Sequence, residues 1–327
     1  MSRTLKVEQE SWPVAGSFRI SRGAKTEAEV VVVEIAQGGA HGRGECVPYA
    51  RYGETVAGVM AGITRHADAI AAGIGRADLQ FLMPPGAARN AVDCALWDLE
   101  AKQKGTRAWQ LAGIDRMEPA TTAYTLSLAA PEAMAEAART AADRPLIKIK
   151  LGQDGDEERL RAIREAAPRS QLIIDANEGW AADRIEPLFA LCAEVGVTLI
   201  EQPLPAENDT LLADIAHPVP VCADEAVHGL DSLDGIAGRY DAINIKLDKT
   251  GGLTEALALC KAAEERDLDI MVGCMLATSL AMAPAMIVAQ HASVVDLDGP
   301  LLLARDRESG ITFDGSVMHP PPPELWG

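Results

Sequence analysis

The chain has 327 residues, 48% of them apolar, with 48 acidic against 30 basic side chains and a formal net charge of -18. That is enough for one large barrel or two ordinary domains around a sizeable core. The acidity argues against nucleic acid and anionic membrane surfaces as partners, since both are bound through clustered Lys and Arg. No run of about 18 apolar residues occurs, and the start, MSRTLKVEQESW, lacks the layout of a secretion signal, so the expectation is a cytoplasmic chain with no membrane partner. Six cysteines are scattered without a CxxC pair, which points to buried thiols and away from a zinc or redox site.

In chain order, LKVEQESW and AEVVVVEIA read as strands, followed by helices near residues 54 to 72 and 86 to 104. This α+β layout marks residues 1–115 as a capping domain. From 116 to 311 short apolar strands alternate with amphipathic helices. The strands are TTAYTL, LIKIKL, QLIIDAN, TLIEQP, VPVCADE, AINIKLD, DIMVGC and SVVDLD, and the helical segments include PEAMAEAARTAAD, AADRIEPLFALCAEV and LTEALALCKAAEERD. Eight strands in βα alternation predict a parallel barrel. Residues 312–327, turn-rich and ending in a proline run, are expected to pack back on the cap or barrel.

An ionisable residue stands near the C-terminal end of strand after strand, where such a barrel gathers its site. They are Lys148 and Lys150, Asp175, Glu201, Asp224, Lys246, and Asp296 with Asp298. The intervals from Lys150 through Lys246 are 25, 26, 23 and 22 residues, about one βα unit each, so successive strands bring these groups to one rim. Three carboxylates on neighbouring strands suit a hard divalent cation such as magnesium, with positions left for water and substrate. Strand order places Lys150 and Lys246 on opposite sides of that cation, an amine for each face of a bound substrate. Lys148 shares a face with Lys150, and its charge is expected to help lower the pKa of Lys150 toward that of a base. By the same alternation Asn177 is expected beside Asp175, and Asn244 and Asp248 beside Lys246, as supporting groups. Asp296 and Asp298 point one way and suit a substrate ammonium. None of the six histidines falls opposite Lys150, which disfavours a lysine and histidine base pair.

The elements KIK at 148, DANEGW from 175, EQPLP from 201, ADE at 223, NIKLDKTGGLTEAL from 244, GCMLATS from 273, DLDGP from 296 and ARNAVDCALWDLEAK in the cap together resemble the enolase superfamily. The likeness is to its muconate-lactonizing subgroup, and within that to the dipeptide epimerases, the L-Ala-D/L-Glu epimerases. It implies an α/β fold, a modified TIM barrel of (β/α)7β form under an N-terminal α+β cap. It also implies one magnesium ion per subunit on Asp175, Glu201 and Asp224, with Lys150 and Lys246 as the acid/base pair. Sites of this superfamily are a known example of a Lys or His base acting beside magnesium on an ene-diolate, so that chemistry comes with the resemblance. So do the binding of a dipeptide amino terminus by Asp296 and Asp298, with Lys148 also in the substrate site, and the pairing of Arg22 with a glutamate side chain. A part in murein peptide recycling follows from the same resemblance, which leaves a homo-oligomer open. Tyr49, Arg51 and Tyr52 are lid candidates. Two alternatives remain at this point. One is another subgroup activity: N-acylamino acid racemase, o-succinylbenzoate synthase or muconate cycloisomerase. The other is a metal-binding barrel without catalysis.

Overall fold

The computed structural model describes residues 2–327. The cap opens with an antiparallel sheet of β1 (Thr4–Ile20), β2 (Gly23–Gln37) and β3 (Ala40–Cys46). Val31, Val33 and Ile35 alternate along β2 and face Leu5 and Val7 of β1, making one apolar face. Helices α1 (Val56–Arg65), α2 (Ala67–Ala71), α3 (Arg76–Leu82) and α4 (Ala87–Lys104) cover it. β3 has no counterpart in the sequence reading because glycines replace the apolar residues that signal a strand. A Cβ at Gly42 would lie 2.1 Å from the Ala95 carbonyl oxygen, and one at Gly44 2.1 Å from that of Ala91. Only glycine lets α4 lie this close to the sheet.

The rest of the chain is built on an eight-stranded parallel barrel: β5 (Tyr124–Leu126), β6 (Leu146–Lys150), β7 (Gln171–Asp175), β8 (Val197–Glu201), β9 (Val221–Ala223), β10 (Ala242–Ile245), β11 (Asp269–Gly273) and β12 (Val294–Asp296). Each overlaps a strand expected from the sequence. Ala123 N donates to Val295 O at 2.8 Å, bringing β12 round to the first strand. The barrel floor is plugged by Ala123, Leu146, Ile173, Leu199, Cys222, Ala242 and Met271, a packed cluster and not a pore. Because strand side chains repeat every two residues, the next inward positions are Lys148, Asp175, Glu201, Asp224 and Asn244. The apolar floor therefore fixes which polar residues share the inside of the rim.

The tail closes the underside. Phe313–Asp314 and Val317–Met318 form a hairpin that pairs with β4 (Ala120–Thr121). Trp326 is wholly buried and donates through Nε1 to Cys94 O at 3.1 Å, and Gly327 N donates to Asp98 Oδ1 at 2.7 Å, so the chain end is tied to α4. All six cysteines are free, five of them buried, with Cys274 partly exposed. Among the described residues no helix is long and apolar enough to cross a membrane.

The joint between cap and barrel corrects one expectation. Asp248 does not continue the inward face of Lys246, because β10 ends at Ile245 and residues Leu247–Thr250 make a helical turn. Its Oδ1 instead accepts from Val47 N (3.0 Å) and Asn90 Nδ2 (2.8 Å), both in the cap. Asp248→Ala would leave two buried donors unpaired and is expected to cost about 2–4 kcal/mol, read as a lower denaturant midpoint. Burial, with Glu54 and Glu45 nearby, pushes this carboxyl up to about 7 against the bonds from Val47 and Asn90. A carboxyl raised on folding contributes stability below its unfolded pKa and loses it as pH rises through the folded one. Asp248→Asn should therefore gain on the native protein as pH rises from about 4 to 7, the gap closing again on acidification.

Candidate active site

Asp175, Glu201 and Asp224 end or follow three adjacent strands and are buried, each offering an oxygen within 4.8 Å of the other two. An all-oxygen donor set at this spacing fits a hard divalent cation, and nothing softer than oxygen is present among the three. Burial, then the charges of Asp175 and Asp224, push Glu201 up to about 7 although Lys148 and Lys246 oppose this. Burial would raise Asp224 too, but the ammoniums of Lys246 and Lys249 overcome it and hold the group well below the usual carboxylate range. Asp175 is likewise held low by Lys150 and Lys148 against burial. Glu201 Oε2 has no hydrogen-bond donor: Lys148 Nζ lies 2.5 Å away without the alignment of one. A trio of carboxylates whose middle member is this unfavourable as an anion is a site that a cation would stabilise.

The scaffold around the trio is built locally. Gln202, in the left-handed region at φ 33°, follows Glu201 and accepts through Oε1 from Asp224 N (2.9 Å) and Ala226 N (3.0 Å). Its Nε2 donates to Tyr240 Oη at 2.7 Å, and that hydroxyl donates to Asp209. The residue after one carboxylate thus shapes the loop that carries the next. Asn244 Nδ2 donates to Glu201 Oε1 at 2.7 Å, as its inward alternation predicts.

Lys150 Nζ lies 2.6 Å from Asp175 Oδ2, and Lys246 Nζ lies 2.6 Å from Asp224 Oδ2. Both line a cavity of about 490 Å³ between barrel mouth and cap. Lys148, expected in the substrate site, lines the small recess beside Asp296 and Asp298 with its ammonium already engaged by carboxylates. Its side chain is 1% exposed, and its ammonium is occupied by Glu201, Asp296 Oδ2 (2.7 Å) and Asp175 Oδ2 (3.3 Å). Burial opposes its charge, but these three carboxylates hold its pKa well above the ordinary lysine value. It compensates charge beneath the trio.

Asp296 and Asp298 border a recess of about 30 Å³ that also touches both Lys150 and Lys246. Asp298 Oδ2 accepts from Thr125 N at 2.6 Å, while Asp296 Oδ1 is buried without any partner. Burial and the neighbouring Asp296 push Asp298 up to about 7. Two carboxylates, one with an unused buried oxygen, make a strong acceptor for a cationic group.

The cap closes the other side. Arg22, at the β1–β2 turn, donates to Glu225 Oε1 (2.7 Å), Asn177 O (2.9 Å), Tyr49 Oη (3.1 Å) and Glu178 Oε2 (3.3 Å). Arg51 grips Glu178 through two bonds of 2.9 Å and reaches Glu207 at 2.8 Å. Tyr49 and Tyr52 line the cavity, and Tyr52 packs edge-on against His228 with centroids 4.5 Å apart. Asn177 also lines it, by a route that alternation does not give: β7 stops at Asp175, and Asn177 turns left-handed at φ 46° with its N–H on Asp175 Oδ1 at 2.9 Å. Three residues here have no role in the sequence reading. Glu178 and Glu225 are the barrel halves of the cap clasp, and their signal was their position just beyond DAN and AD. Lys25 lines the cavity with no ion pair within 4.0 Å among the described residues, its electrostatic partner being Glu29 and its nearest ring Tyr49.

Residues 2–113 match the family described as Mandelate racemase / muconate lactonizing enzyme, N-terminal domain, and residues 132–321 that described as Enolase C-terminal domain-like. The chain is 46% identical to an L-Ala-D/L-Glu epimerase of Escherichia coli (strain K12), over 97% of this chain and 99% of that one. It is 43% identical to an N-acetyl-D-glutamate racemase of a Pseudoalteromonas species, over 91% of this chain and 95% of that one. Among solved structures, an enolase family member from Agrobacterium tumefaciens with homology to dipeptide epimerases, with bound sodium and L-Ala-L-Glu, superposes with a TM-score of 0.98 at 58% identity, covering 99% of this chain and 100% of that one. A dipeptide epimerase from Cytophaga hutchinsonii, complexed with Mg and D-Ala-L-Val, gives 0.92 at 27% identity, covering 98% and 94%.

Proposed function

We propose that this chain, which belongs to the enolase superfamily, is an isomerase that interconverts L-Ala-L-Glu and L-Ala-D-Glu by moving a proton at the α-carbon of the C-terminal residue. The observation that carries the reading is the carboxylate pair Asp296 and Asp298, with its unpartnered buried oxygen, lining one recess with both lysines. A free amino terminus compensates that pair, whereas an N-acyl group brings no charge to it. Magnesium held by Asp175, Glu201 and Asp224 supplies positive charge where a substrate carboxylate gains negative charge. The chain's own groups do the rest. One lysine takes the α-proton and the other delivers one from the opposite side, which inverts the centre. Lys148 keeps the carboxylate floor close to electrical balance. The clasp of Arg22 and Arg51 on Glu178 and Glu225 ties the cap to the barrel beside the cavity. Lys25, a cavity cation with no ion pair within 4.0 Å among the described residues, is placed to meet a distal carboxylate such as that of glutamate.

Cytoplasmic work on dipeptides released from murein extends this reading, on the strength of the family resemblance. An N-acetyl-glutamate racemase is the second reading, favoured by the Pseudoalteromonas relative. Proton NMR in deuterated water with magnesium separates the two. L-Ala-L-Glu should lose its glutamate α-proton signal while the L-Ala-D-Glu diastereomer appears, and N-acetyl-L-glutamate should exchange at least 100-fold more slowly, about 2.7 kcal/mol in barrier. The reverse order of rates would overturn the dipeptide assignment.

A further inference from the structure

We propose that Lys249 is a positioning residue for Lys246, acting through Asp224, and so governs proton transfer on one face of the substrate only. The proton-transfer part rests on the epimerase reading above; the positioning part rests on geometry alone.

Lys249 lies three residues after Lys246 on the helical turn Leu247–Thr250, so its side chain folds back beneath the end of β10. It is 2% exposed. Its ammonium has three acceptors: Asp224 Oδ1 at 2.6 Å, Asp224 O at 2.5 Å and Asn244 O at 2.9 Å. A lysine nitrogen has three protons to give, and all three are used. Two of these bonds grip one residue, at its backbone and its carboxylate, so both the position of Asp224 and the rotation of its carboxyl group are fixed. The rotation sends Oδ2 toward Lys246 Nζ, 2.6 Å away.

The opposite lysine is arranged differently. Lys150 lies against Asp175 Oδ2, and the other oxygen of that carboxylate accepts from the backbone N–H of Asn177. One catalytic amine is thus aligned by a carboxylate whose other oxygen is held by the main chain, with Lys148 3.3 Å from the shared oxygen; the other is aligned by a carboxylate whose other oxygen is held by the Lys249 side chain. Removing Lys249 should misalign Lys246 and leave Lys150 in place. A purely structural lysine would affect both faces alike.

The experiment uses the magnesium-loaded full chain and measures deuterium exchange of the α-proton separately for L-Ala-L-Glu and L-Ala-D-Glu. Lys150→Ala and Lys246→Ala assign which epimer each lysine serves. In Lys249→Met, exchange of the epimer served by Lys246 should fall at least tenfold relative to the other, and Lys249→Arg, which keeps charge and donors, should recover part of the loss. A crystal structure of Lys249→Met should show Asp224 Oδ2 turned away from Lys246. Equal loss on both faces, no loss, or an unmoved Asp224 would overturn the proposal. If the methionine variant does not fold, Lys249→Gln, with a shorter neutral donor, takes the same tests. Were the native protein to exchange neither epimer, the dipeptide reading would fall, and the Asp224 position in the variant would still decide for or against Lys249.

Discussion

Lys150→Ala should lower the epimerisation rate by about 10²- to 10⁴-fold, the range a positioned acid/base group contributes, while magnesium affinity stays near that of the native protein. The amine lies beside Asp175 at 2.6 Å but is no part of the oxygen trio, so removing it leaves all three donors in place. The residual chemistry is as informative as the loss. Lys246 remains against Asp224, so the epimer whose α-proton faces Lys246 should still exchange with deuterated solvent without inverting. One-sided exchange with inversion abolished is the signature of two opposed monofunctional bases. Equal loss of exchange in both epimers would place both proton transfers on one group. A metal-binding barrel without catalysis would have no turnover to lose, and calorimetry with magnesium would be blind to the substitution.

The period-two logic of the strands read much of this site from sequence alone, because the apolar floor residues and the polar rim residues lie on the same inward face two positions apart. Leu146 predicts Lys148 and Lys150, and Ile173 predicts Asp175. The logic fails two or three residues beyond the ends of β7 and β10, where the backbone leaves extended geometry. Asn177 reaches the cavity only through a left-handed turn, and Asp248 is carried off to the cap by a helical turn. Lys249 was missed for the same reason: its side chain returns to the site through helical spacing after a strand. The burial of Lys148 was not legible either, since the carboxylates it touches come from β7, β8 and β12. In the cap, β3 escaped notice because its close fit to α4 requires glycine where a strand pattern shows apolar residues. The clasp of Arg22 and Arg51 is long-range, joining residues more than 120 apart in the chain.

Asp298→Asn should reduce kcat/KM for L-Ala-L-Glu by about 10- to 100-fold, the worth of one charge-assisted hydrogen bond of 1.5–3 kcal/mol. The substitution is conservative where it must be, because an amide oxygen can still accept from Thr125 N, the bond that fixes the side chain. The effect therefore reports charge and not collapse of the loop. pH supplies an independent check. With its carboxyl pushed up to about 7 by burial and by Asp296, Asp298 is largely protonated in the unliganded protein below that pH. A substrate ammonium favours the ionised form, so binding should expel up to one proton and kcat/KM should fall as pH drops below about 7. Calorimetry in buffers of different ionisation enthalpy would count the proton, and the asparagine variant should show neither the release nor that inflection. A dipeptide kcat/KM within threefold of native, with the acid limb unchanged, would remove Asp298 from ammonium recognition and leave Asp296, with its unpartnered Oδ1, as the sole acceptor.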